Sequence, residues 1–139
     1  MSAPLGVGLD LVDVARISRL ISTYGERVLT RLLTDGEREY CLGQAVPARH
    51  VAARVAVKEA AYKALCCAGN TVYLAWRDLE VIREPGGLPR LELQGRAREV
   101  ADRLGVGVTM VSISHTDSQA AAVVLVLSDP QLSPGADHS

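Results

Sequence analysis

The sequence contains no phenylalanine, and its aromatic residues amount to one Trp and four Tyr in 139 residues. The core therefore has to be built from Leu, Val, Ile and a great deal of Ala, a thin supply of buried area that favours association with further copies of the chain. Cysteine is sparse as well. Cys41 and the adjacent Cys66 and Cys67 are an odd number without zinc-ligand spacing or a disulfide framework, which suits a reducing cytoplasm. An excess of either charge is also missing: 15 Lys and Arg stand against 16 Asp and Glu, for a formal net charge of -1. That balance argues against generic binding to nucleic acid or to an anionic membrane surface. No apolar run approaches a membrane span, and Met1 to Leu5 hold no basic segment leading into a signal-length apolar stretch, so the cytosol is the expected location. What is present is a globular composition, 48% hydrophobic and 22% charged, of a length that suits one domain.

Leu5-Gly6-Val7-Gly8-Leu9-Asp10-Leu11-Val12 alternates apolar residues with glycines, which predicts a strand that another backbone approaches closely. From Asp13 the spacing of Val14, Ile17, Leu20 and Ile21 becomes helical, with Asp13 as N-cap and Gly25 as stop. Thr34-Asp35-Gly36-Glu37 is a capping box that opens a short helix ending near Gly43. The Ala-rich stretch from Pro47 to about Cys67, closed by Gly69-Asn70, predicts the longest helix. Three short strands are expected at Thr71 to Ala75, Leu79 to Glu84 and Leu91 to Gln94, the last two forming a hairpin through Pro85-Gly86-Gly87-Leu88-Pro89. Gly95 to Leu104 returns to helical period before Gly105, and Val108 to Ser114 and Gln119 to Leu127 form a hairpin across His115-Thr116-Asp117-Ser118. Runs of helices and hairpins predict an α+β fold, an antiparallel sheet packed with one long helix in a single small domain over residues 1–127. The Pro-, Gly-, Ser- and Asp-rich residues 128–139 are expected to be a disordered tail.

Several residues do not fit a plain core. Ala52, Ala56, Glu59 and Lys63 share one narrow sector of the long helix. Glu59 and Lys63 are either a solvated i, i+4 ion pair or charges continuing a close-packed face, which then need a partner or an ion. Asp10 interrupts an apolar strand, either as a turn residue or as a ligand. If Asp10 and Glu59 converge, they offer two hard oxygen donors without a Cys or His set, a pair suited to Mg²⁺ completed by water and phosphate oxygens. Arg54, Lys58, Lys63 and His115 would add cations and donors, the chemistry of a phosphate ester. No Walker-type loop is present, and Gly6-x-Gly8 lacks the rest of a dinucleotide fingerprint.

As a set these residues closely resemble the holo-acyl-carrier-protein synthase family, the small stand-alone 4′-phosphopantetheinyl transferases. The resemblance rests on Gly6-Val7-Gly8-Leu9-Asp10 followed by Arg16, on Arg54-Val55-Ala56-Val57-Lys58-Glu59-Ala60-Ala61-Tyr62-Lys63-Ala64, on Gly87-x-Pro89 and on Val111-Ser112-Ile113-Ser114-His115, and it runs from about Leu5 to Leu127. It implies a Mg²⁺-dependent enzyme that moves the 4′-phosphopantetheine arm of coenzyme A onto a serine of an apo acyl carrier protein of fatty acid or polyketide synthesis, leaving adenosine 3′,5′-bisphosphate. Carried over, Asp10 and Glu59 would hold the metal against the diphosphate, Lys63 would offset charge on the leaving phosphate, and His115 would bond the 3′-phosphate. Arg54 and Lys58 would be basic positions near the ligand, and Arg16 would receive the acidic helix of the carrier protein. The serine proton would pass to a metal-bound water, to Glu59 or to Asp35. The family forms homotrimers with active sites at subunit interfaces.

Three positions depart from the family pattern. Val55 stands where Phe is usual, and Cys66-Cys67-Ala68-Gly69 replaces a Gly-x-Gly. Val12 occupies the place of a third acidic ligand found in larger, pseudo-dimeric relatives. The loss of Gly-x-Gly leaves a rival reading, a catalytically impaired module of the same fold that binds carrier proteins or coenzyme A without turnover.

Overall fold

The computed structural model describes residues 2–130. β1 (Pro4–Asp13) leads into α1 (Val14–Tyr24), α2 (Glu26–Leu32), α3 (Asp35–Leu42) and the long α4 (Pro47–Cys67). After a 3-10 turn at Trp76–Asp78 follow β2 (Leu79–Arg83), β3 (Pro89–Leu93), α5 (Gly95–Leu104), β4 (Val106–His115) and β5 (Gln119–Ser128). β1, β5 and β4 pair in that order as one antiparallel sheet, and β2 and β3 form a separate hairpin. This is the α+β architecture expected from the hairpins.

The local signals act as the sequence implies at most boundaries. Thr34 and Glu37 form both bonds of the capping box, and Gly105 closes α5 in the left-handed conformation at φ 78°. Asp13 occupies the N-cap position of α1 but makes no side-chain capping bond; the Val14 amide donates instead to the Ser118 carbonyl, 2.9 Å away. α2 carries no sequence signal long enough to show a period, yet it forms, because Leu29 and Leu32 are buried while Glu26 and Arg31 match the helix dipole. The strand expected at Thr71 to Ala75 does not form. Asn70 takes over its hydrogen bonds: Nδ2 donates to the Val72 carbonyl and Oδ1 accepts from the Val72 amide. β5 runs through Ser128, which exchanges hydrogen bonds with Ala3 through its amide and its hydroxyl; the tail expectation for residues 131–139 lies outside the described residues.

α4 lies across β1 and β5 with Ala52, Ala56, Ala60 and Ala64 fully buried. A methyl placed at Gly8 would lie 1.9 Å from the Ala60 carbonyl oxygen, and one at Gly6 would lie 2.1 Å from that of Ala64. The two glycines thus admit the helix backbone directly onto the strand, which is how a core with so few large side chains closes.

A second constraint lies on the far side of α4. Lys58 is fully buried, and its ammonium donates to the carbonyls of Leu32 (2.8 Å) and Trp76 (2.9 Å) and to Glu37 Oε1 (2.6 Å). Glu37, also buried, accepts from the amides of Thr34 and Val81 as well. One ion pair therefore joins the end of α2, the start of α3, the middle of α4, the 3-10 turn and β2. Burial lowers the Lys58 pKa, and Glu37 opposes that shift.

Gly8→Ala is expected to destabilise the protein by more than about 3 kcal/mol, since both elements would have to separate; a urea midpoint equal to wild type would refute the close-approach account. Lys58→Met strands the Glu37 charge and should cost about 3–5 kcal/mol, with part recovered in Lys58→Met/Glu37→Gln. Chemical denaturation of the three proteins checks this, and a double variant no more stable than the single one would count against it.

Candidate active site

Asp10 falls on the inward side of β1, opposite Ala122 in the register, where α4 crosses. Lys63 Nζ donates to Asp10 Oδ1 at 2.9 Å and to the Leu9 carbonyl at 3.1 Å. Glu59, one turn earlier on α4, is partly buried. Its carboxyl is pushed up by burial first and then by the Asp10 charge, while Lys63 and Arg16 draw it down. Asp10, Glu59, Lys63 and Arg16 thus form one electrostatic neighbourhood, beside an open depression of about 450 Å³ lined by Leu9, Asp10, Leu11, Lys63 and Ala121.

A carboxylate whose proton affinity is raised by burial and by a second carboxylate beside it is a natural seat for a cation. Among the described residues no group of three or more His, Cys, Asp or Glu could hold a metal. This neighbourhood therefore offers two hard oxygen ligands and leaves the other positions to water and substrate oxygens, which fits Mg²⁺ and does not fit a zinc or iron site.

Arg54 and His115 belong to a second cluster. Arg54 is 2% exposed, its guanidinium lies 4.5 Å from the centroid of the Tyr40 ring, and Nη1 donates to the His50 carbonyl. Its buried Nε makes no hydrogen bond among the described residues. Arg83 approaches the same ring at 5.8 Å. His50 has its pKa lowered by burial and then by Arg54, Arg83, His115 and Arg49. So much positive charge around one imidazole suits a multiply charged anion. Arg54 and Glu59 are separated by about 7.5 Å along α4 and about 140° around it, so the two residues leave the helix on different sides.

Lys58, expected near the ligand, lies in the interior instead, with all three ammonium protons donated to protein oxygens. Two residues along a helix point about 100° apart per step, so the neighbour of a site residue need not share its face. Asp35, one of three proton acceptors left open by the sequence, is solvated and paired with Arg77 at 2.9 Å. Cys66 and Cys67 complete the last turn of α4, and Gly69 at φ 121° takes the bend after it. Tyr40, His50 and Arg83 escaped the sequence reading because they come from three elements and share no spacing pattern. Glu37 was legible as a capping residue, but nothing in its spacing linked it to Lys58.

Comparison with known proteins identifies the family. Residues 6–124 match the family model described as the 4′-phosphopantetheinyl transferase superfamily. The holo-[acyl-carrier-protein] synthase of Moorella thermoacetica is 44% identical over 122 residues, covering 88% of this chain and 93% of the relative. That of Koribacter versatilis is 43% identical over 122 residues, covering 88% and 97%. The crystal structure of the Helicobacter pylori holo-[acyl-carrier-protein] synthase in complex with coenzyme A superimposes with a TM-score of 0.74 at 30% identity, over 86% of this chain and 98% of that one. The Plasmodium yoelii holo-ACP-synthase structure shares the fold, with a TM-score of 0.81 at 24% identity over 93% of this chain and 98% of that one. With a family model spanning most of its length, and with close relatives that all bear one name, the chain belongs to the holo-[acyl-carrier-protein] synthases of the 4′-phosphopantetheinyl transferase superfamily.

Proposed function

We propose that this protein transfers the 4′-phosphopantetheine group of coenzyme A to a serine hydroxyl of an apo acyl carrier protein, releasing adenosine 3′,5′-bisphosphate. The observation that carries this is the convergence of Asp10, Glu59 and Lys63 beside an open depression, in a chain whose relatives bear that activity in their names. Asp10 and Glu59 would hold Mg²⁺, which when bound neutralises charge on the diphosphate of the substrate. The serine oxygen forms its bond to the β-phosphorus as the bond from that phosphorus to the bridging oxygen breaks. Lys63 stands beside Asp10 as the cation that offsets charge on the departing phosphate, the positioning and electrostatic work on which phosphoryl transfer mainly depends. Without a metal, burial and the Asp10 charge raise the Glu59 pKa, and the solvated Asp35 carboxylate is paired with Arg77.

Arg54 and His115 suit the 3′-phosphate of coenzyme A, with Arg83 and His50 alongside. The angular separation of this cluster from Glu59 supports a site shared between two copies of the chain. The outer face of the large sheet supports the same reading. Val7, Leu9, Leu11 and Met110 are 54 to 66% exposed there, a patch of the kind that marks an interface. We take the assembly to be a trimer, acting in the cytoplasm. Arg16, exposed on α1 and close enough to lower the Glu59 pKa, would meet the acidic face of the carrier protein next to the reacting atoms.

Intact-mass measurement of an apo acyl carrier protein incubated with this protein, coenzyme A and Mg²⁺ should show addition of one phosphopantetheine, and EDTA should suppress it. Absence of that shift with several carriers would sink the transferase reading. Glu59→Gln should reduce turnover at least about 100-fold; wild-type turnover with Mg²⁺ supplied would remove Glu59 from the site. Arg16→Ala is expected to raise the KM for the carrier while leaving that for coenzyme A near wild type, and equal effects on both would refute a docking role.

A further inference from the structure

A second cavity adjoins Glu59 on the side away from Asp10 and is not used by the chemistry above. It has a volume of about 170 Å³ and apolar walls from Tyr62 of α4 and from Tyr73, Leu74, Trp76 and Leu79 of the segment that follows. Leu74 and Leu79 form a buried floor, Trp76 is half-buried, and Tyr73 stands at the rim, 67% exposed. Glu59 supplies the acidic edge. Lys58 also borders it, but its ammonium is committed to Glu37 and two carbonyls, one of them that of Trp76. The wall is held in place without a ligand: Lys58 fixes the Trp76 carbonyl, and the Gln94 amide donates to the Asp78 carbonyl at 2.8 Å.

This inference rests on coenzyme A being the substrate. Its adenosine end is polar and carries a 3′-phosphate, which suits Arg54 and His115 and not an apolar pocket. On the other side of the diphosphate, the phosphate ester oxygen bears a methylene and then a carbon with two methyl groups, followed by a hydroxyl and the first amide. With bonds of about 1.5 Å, that dimethyl carbon lies within about 4 Å of the transferred phosphorus. No other apolar part of the substrate is tethered so close to the phosphate that Glu59 faces. The volume is also sufficient, since a dry cavity of about 150 Å³ accommodates benzene.

We propose that the Tyr73–Trp76–Leu79 pocket seats the dimethyl group of the pantoyl unit of coenzyme A, and so aligns the transferred phosphorus with the incoming serine. Tyr73 and Trp76 are then specificity-determining residues that recognise the transferred half of the substrate, while the basic cluster recognises the half that leaves. Removing the methyl contacts should weaken binding about tenfold.

Calorimetric titration of coenzyme A and of adenosine 3′,5′-bisphosphate into wild type, Tyr73→Ala and Trp76→Leu tests this. Tyr73 is exposed enough that its variant should melt as wild type does, and Trp76→Leu keeps an apolar side chain in the wall. The expected result is a Kd for coenzyme A raised about tenfold in both variants, an unchanged Kd for the bisphosphate, and a KM that rises for coenzyme A but not for the carrier. Equal weakening of both ligands, or no change in either, would overturn the proposal. So would a raised carrier KM with unchanged coenzyme A binding, which would give the pocket to a carrier side chain. If wild type bound neither ligand, the coenzyme A reading itself would fall, and that outcome is separable from the others because it precedes any substitution.

Discussion

The contact between the backbones of β1 and α4 underlies everything else in this molecule. Gly6 and Gly8 present no side chain to Ala64 and Ala60, so helix and strand meet at a distance that a Cβ at either glycine would block. That proximity closes an interior without a single Phe. It also sets Asp10, further along the same face of the strand, against Glu59 and Lys63 on the helix. Stability and the acidic site are therefore two results of one packing geometry, and the glycines that look like weak points in a strand are its necessary condition.

On the opposite flank of α4 the buried pair of Lys58 and Glu37 performs a different task. Five elements converge there through directed bonds, with every ammonium proton assigned to an oxygen. Apolar packing tolerates sliding, whereas an ion pair in this position admits one arrangement of α2, α3, the 3-10 turn and β2 around the helix. The cost of desolvating both charges is offset only while all partners stay in place. The consequence for the site is indirect but definite: Lys58 lies next to Glu59 in sequence and holds the wall of the pocket that Glu59 borders.

Much of this was legible before any coordinates. The limits of α4 and α5, the capping box at Thr34, the two hairpins and the close approach at Gly6 and Gly8 all follow from short-range rules of propensity, capping and sterics. The i, i+4 spacing places Glu59 and Lys63 on one helix side, but their meeting with Asp10 followed only from the family resemblance, because spacing within one element does not fix which strand the helix crosses. The misses are physical in origin. α2 is too short for a period to emerge, and its formation depends on tertiary burial of Leu29 and Leu32. Residues 71–75 are apolar enough for a strand, but Asn70 satisfies the Val72 backbone locally. Lys58 reads as a site cation by proximity in sequence, and only three-dimensional packing reveals that its charge is spent on Glu37. The cluster of Tyr40, His50 and Arg83 around Arg54 has no sequence signature, since its members are brought together by the fold alone.

β1 carries two alternating messages. Its even positions, Gly6 and Gly8 followed by Asp10, face α4, and its odd positions, Val7, Leu9 and Leu11, form the exposed apolar row. Because side chains in a strand alternate with a period of two, shifting the chain by one residue would exchange the rows: leucines would collide with the helix backbone, glycines would face outward, and the acid would leave the site. Conservative replacements within the outer row leave this pattern intact. An insertion or deletion of one residue anywhere between Gly6 and Asp10 would destroy helix contact, outer face and acidic site together, so this segment is protected in length more strictly than in composition.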